Sequence, residues 1–187
     1  MFRWSVLVVA GLTLSGCALE DPQVDTARLY GPAFGSNADP DQAAINISSW
    51  AFSSASNTAN RPIEAARAVA AVDYLAGELN TGFRWAQMSP IPKMEMLNAR
   101  AQVRTAIGIA PNARSQSVVD RLLTAADALQ HQDAAAAEAA LAAPTFTLPP
   151  QETLARLDRL PFMSQTNVAT QTALRASGQL DGCSGCN

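Results

Sequence analysis

The sequence predicts one all-α domain of about six helices built as antiparallel hairpins, and three observations carry that expectation. Apolar residues return every three or four positions through most of the chain, as one face of a helix requires. Proline and glycine cluster at the ends of these periodic stretches. Strand-like alternation is confined to short ambiguous runs, and 187 residues suit a single domain.

Each element has its own local reason. Asp39-Pro40 is an acidic N-cap followed by proline at the first helical position, and the helix it opens runs to about Ser56. Ala44, Ile47, Ala51 and Ala55 share one side of it with Trp50 alongside, while Ser and Asn elsewhere make it dependent on tertiary contacts. Pro62 opens a second helix, with Glu64 in the first turn where the helix dipole favours an acid. Ile63, Ala66, Val69, Val72, Ala76 and Leu79 form its inward stripe, and Asn80-Thr81-Gly82 end it. An aromatic connector broken by Pro90 and Pro92 follows. The next helix is expected from about Lys93 to Ile107, with Met96, Ala99, Val103 and Ala106 inward.

Ser117 with Asp120 resembles a capping pair, and the helix behind it carries Val118, Leu122, Ala125, Ala126 and Leu129. A tight turn at His131-Gln132 leads to a helix capped by Asp133 and running to Ala143. This pair, over residues 114–143, loosely resembles a hairpin of the tetratricopeptide kind, without a second copy at a fixed period. Prolines force the stretch from Pro144 to Pro150 to be extended. A short helix from Gln151 to Leu160 and a last one from Ser164 to Ala176 complete a domain expected over 39–176. Residues 177–187 read as a flexible tail.

The N-terminus is organised differently. Arg3 precedes an apolar run from Ser5 to Leu14, which is too short to span a bilayer and has the layout of a secretory signal. It closes on Leu14-Ser15-Gly16-Cys17, and this motif resembles the lipobox of bacterial lipoproteins. The resemblance implies a signal peptide over 1–16, cleavage before Cys17, and lipid on the Cys17 sulfur and the new amine. Ala18, where an aspartate would imply inner-membrane retention, implies export to the outer membrane on its periplasmic face. Several acyl chains on one residue anchor a protein stably, because each buried CH₂ contributes about 0.8 kcal/mol. Residues 17–38, rich in Pro and Gly, are expected to tether the domain, with Leu29, Tyr30 and Phe34 docking back on it.

Charge and motifs then narrow the function. Without its signal the chain carries 12 Lys and Arg against 16 Asp and Glu, a net of −4, which argues against a nucleic-acid footprint. Hydrolase, metalloprotease and nucleotide-binding motifs are missing from the sequence, and its carboxylates are too dispersed for a metal centre, so no cofactor or catalytic set is expected. His131, the single histidine, lies four residues after Asp127 and reads as a solvated turn residue. Cys183 and Cys186 form a Cys-x-x-Cys pair at the chain end. In an oxidising compartment their ordinary outcome is a local disulfide. Trp50, Phe52, Tyr74, Phe83, Trp85 and Met88 gather in the first hairpin and its exit, either filling the core or lining a groove for a partner.

The expected function is a non-catalytic interaction module of the cell envelope, held to the membrane through Cys17 and meeting a protein partner through that groove. In class it resembles the small helical lipoproteins, pilotins among them, that act as assembly factors. A helical carrier of a small apolar ligand is the alternative, and an enzyme using His131 or the cysteine pair is the third reading.

Overall fold

A computed structural model describes residues 24–29 and 39–183, with side chains described as far as Leu180. The described residues form a single all-α domain of seven helices: α1 (Pro40–Ser53), α2 (Pro62–Thr81), α3 (Pro90–Ile107), α4 (Ser115–Gln130), α5 (Ala134–Ala140), α6 (Pro150–Asp158) and α7 (Ser164–Cys183).

The fold is arranged around α2. Thirteen of its 20 residues are buried, so it is enclosed on nearly all sides and lacks the single wet face of a surface helix. Its alanines make this feasible, because small side chains let several neighbours approach together. α1, α3 and α4 all pack on it. Polar contacts fix the directions. Asp41, at the start of α1, meets Tyr74 near the end of α2. Asn80, at the end of α2, donates to the carbonyl of Lys93 at the start of α3. Gln102, late in α3, accepts from Thr166 at the start of α7, and Gln171 of α7 donates to the carbonyl of Ser49 late in α1. α1, α2, α3 and α7 therefore close into an antiparallel four-helix ring, with a long crossover between its third and fourth members. That crossover holds the α4–α5 hairpin, which covers the remaining side of α2, and α6, which touches α2, α3 and α5. In the stretch after α5, Phe146 bridges Ile109 with backbone bonds of 2.9 and 2.8 Å flanking the bridge. Residues 143–145 turn, 147–148 bend and Pro150 already opens α6, so the expected extended run is cut down to the bridge and its neighbours.

Several sequence expectations need correction. α3 starts at Pro90, ahead of Lys93, because the first helical N–H groups have no intrahelical acceptor and prolines there forfeit nothing. α4 starts at Ser115, and Ser117 sits inside it with its hydroxyl against that of Thr145. α7 continues to Cys183, so the expected tail is helical over 177–183 and Ser177 is buried. Polar residues of α7 are satisfied within it. Thr170, Thr172 and Ser177 hydroxyls donate to carbonyls three or four residues back.

The tether is also shorter than expected. Residues 24–29 lie on the domain as a strap: Ala27 is buried and Leu29 packs against the core. Tyr30 and Phe34 lie outside the described residues. The strap crosses α2 at Gly77, where a Cβ would sit 2.8 Å from Thr26 Cα and 2.9 Å from the Asp25 carbonyl oxygen. Alanine in a helix interior ordinarily gains about 1 kcal/mol over glycine. Here the obstacle is backbone, so Gly77→Ala is expected to lower the melting temperature and to speed amide exchange across 26–29. A higher melting temperature would show that the strap yields freely.

Candidate interaction surface

The aromatic cluster expected to line a groove is mostly core. Trp85 is fully buried, and Phe52, Tyr74 and Met88 are nearly so. Trp50 and Phe83 point outward but do not meet. Phe83 stands beside Arg84, which pairs with Asp39 ahead of α1. Trp50 lies eleven residues further along, about 16 Å at 1.5 Å per residue. The six residues therefore divide into four that pack and two that stand apart.

What holds the four is a buried carboxylate. Asp41 accepts from the Tyr74 hydroxyl at 2.5 Å and from the Trp85 indole N–H at 2.9 Å, so both polar handles of the aromatic pair are satisfied inside the fold. Arg84 lies over the Trp85 ring at 4.8 Å. Burial, and then the Asp41 hydrogen bond and charge, push the Tyr74 hydroxyl far above its ordinary value, so it stays protonated and donates. Glu78 is raised above 4.5 by burial and then by the Asp41 charge. A raised carboxyl favours its neutral form in the fold. That contribution is present below the ordinary value and is lost as pH rises through the raised one. Glu78→Gln is therefore expected to melt increasingly above the parent as pH rises past 4.5. A gap that does not change with pH would remove the Asp41–Glu78 interaction as its cause.

His131 caps the end of α4. Its Nδ1 is 2.9 Å from the Asp127 carbonyl oxygen and 3.7 Å from Asp127 Oδ1, with both side chains mostly in solvent. Among the described residues no three His, Cys, Asp or Glu side chains group as a metal site. None of the described helices is long and apolar enough to cross a membrane. The lipobox, Cys17 and Cys186 lie outside the described residues. Cys183 is the last residue of α7, and its side chain is likewise outside them.

The surface that sequence reasoning missed lies along the seam of α3 and α7. Four of the exposed large apolar residues belong to these helices or the turn between α6 and α7: Ile91, Met94, Phe162 and Val168. Open depressions follow one another along the seam. One of about 840 Å³ runs beside Asn98, Gln102, Thr105 and Phe162. A second of about 250 Å³ shares Asn98 and Gln165 with it and adds Glu95, Ser164 and Val168. A third lies between Ile91 and Arg175. Oε2 of Glu95 is buried there without a hydrogen-bond partner. The signal was present in the spacing. At 100° per residue, Met94 sits about 200° from the core residue Met96, on the outward face of α3. The prolines at 90 and 92 hid part of it, by placing Ile91 in the connector ahead of the expected helix.

No protein-family model matches this chain, and no match was found among curated proteins or solved structures.

Proposed function

We propose that the chain is a lipid-anchored envelope protein that acts without catalysis, docking a protein partner on the α3–α7 seam. The observation that carries this reading is the seam itself: exposed Ile91, Met94, Val168 and Phe162 flank a trough containing an unpartnered carboxylate oxygen. The negative charge of Glu95 in the trough is complemented by a cationic side chain from a partner. The occupant that fits is an amphipathic helix carrying Lys or Arg among apolar side chains, laid along the two helices. The anchor rests on the lipobox at Leu14 to Cys17.

The open, mixed polar and apolar trough suits a peptide better than a small apolar ligand, which is held in enclosed apolar cavities. The Tyr74 and Trp85 side chains are themselves packed in the core.

The test is photo-cross-linking in intact cells from Met94 or Val168, with Thr124 on the exposed outer side of α4 as control. A protein adduct specific to the seam, weakened about tenfold by Glu95→Gln, is expected, since a hydrogen bond to a charged group contributes about 1.5–3 kcal/mol. Equal adducts from Thr124, or none from the seam, would defeat the reading.

A further inference from the structure

We propose that the strap at residues 24–29 is a clamp that sets which end of the domain faces the bilayer, holding the start of α4 at Ser115 toward the membrane. This rests on the lipid anchor at Cys17 proposed above.

The strap is held at three helices. Asp25 Oδ2 accepts the Ser115 N–H at 2.5 Å, at a helix N-terminus where a negative charge is favoured. The Asp25 carbonyl accepts from Arg100 of α3 at 2.9 Å. The Gln116 side chain reads the Arg28 backbone in both directions, accepting its N–H at 2.7 Å and donating to its carbonyl at 3.0 Å. On α2, the missing side chain of Gly77 lets the Thr26 backbone lie against the helix, and Ala27 is buried. Ser115 Oγ in turn accepts from Arg100 and Arg104, and Arg104 pairs with the buried Asp73, so the strap is tied through Ser115 to a buried ion pair.

Chain counting gives this clamp its consequence. From Cys17 to Asp25 is eight residues, which span at most about 29 Å when fully extended. Were the domain free until Asp39, the corresponding 22 residues would allow about 79 Å. Clamped, the domain presents its α2–α3–α4 corner to the membrane. Unclamped, it would hang from the start of α1 and turn freely.

Energy transfer on the lipidated full chain in phosphatidylcholine vesicles distinguishes the two. Lys93 is the only lysine, and with the terminal amine acylated it takes an amine-reactive donor dye, against an acceptor on the lipid headgroups. Twenty Gly/Ser residues inserted between Asp21 and Pro22 add a root-mean-square reach of about 25 Å and are expected to lower transfer by about twofold or more. The same insertion between Gly35 and Ser36 lies beyond the clamp and is expected to leave transfer unchanged. Asp25→Ala with Gln116→Ala should make the second insertion matter as much as the first. Equal losses from both insertions in the parent chain would overturn the clamp. A chain that fails to float with vesicles and carries no lipid mass at Cys17 would overturn the anchor, and the clamp with it.

Discussion

Asp73→Ala is expected to destabilise the domain by about 3–5 kcal/mol, among the largest effects available at a single position. The Asp73 side chain has no solvent exposure, and both its oxygens are taken by Arg104 in a two-point pair, Nε to Oδ2 at 2.6 Å and a terminal nitrogen to Oδ1 at 2.8 Å. Arg104 is itself only 11% exposed, so removing the aspartate leaves a guanidinium charge with little access to water. Its other contacts, to the Ala113 carbonyl at 2.9 Å and Ser115 Oγ at 3.0 Å, are neutral acceptors and cannot replace a carboxylate. At about 2–4 °C per kcal/mol for a chain of this size, the melting temperature should fall by on the order of 10 °C. Chemical denaturation of both proteins measures the loss directly, and a loss below about 1 kcal/mol would mean that water reaches Arg104. Asp73→Leu combined with Arg104→Leu should recover much of the stability, because no lone charge remains inside. It should not recover the strap, since Ser115 loses one of its two arginine donors. Amide exchange at residues 25–28 is the readout that separates these two consequences.

The same pair shows where the sequence stops being informative. Asp73 lies within an apolar stretch of α2 and off the stripe of Val69, Val72 and Ala76, so a helix with one wet face would turn it to solvent. That inference assumed one wet face. The assumption fails because α4 covers the side that a two-helix hairpin would leave exposed, and the coverage comes from a helix more than 40 residues away in sequence. Arg100 and Arg104, four apart on α3, are likewise turned onto Asp25, Asp73 and Ser115 by contacts that no local pattern encodes. Local chemistry fared well where it was sufficient. Asp39 does cap α1, accepting the N–H groups of Asp41 and Gln42, and Asp133 caps α5. Gly108 does end α3, in the left-handed conformation at φ 74° that glycine tolerates best. The seam on α3 and α7 was lost for a related reason. Proline was read as a break, whereas at the first turn of a helix it is a start.

Trp85→Ala is the other change with a large expected effect, about 3–5 kcal/mol, and it decides between the two roles that the aromatic cluster could play. A tryptophan lining a docking groove would contribute to binding and little to folding, since its face would be wet in the free protein. Trp85 has no exposure, and its indole N–H is one of the two donors on the buried carboxylate of Asp41. Removing it opens a cavity and also leaves Asp41 with the Tyr74 hydroxyl as its remaining buried donor. The loss should therefore exceed that of Trp85→Phe, which keeps most of the packing and gives up the hydrogen bond, by about 2 kcal/mol or more. Trp50→Ala, at a position 44% exposed, should cost less than either. Urea denaturation of the three variants supplies the order, and cross-linking from Met94 in the Trp50 variant supplies the function. If Trp85→Ala left stability within about 1 kcal/mol of the parent while abolishing the partner adduct, the first hairpin would be the docking site after all. A large loss of stability from Trp85→Ala, with the adduct retained in Trp50→Ala, would leave the α3–α7 seam as the surface on which a partner is read.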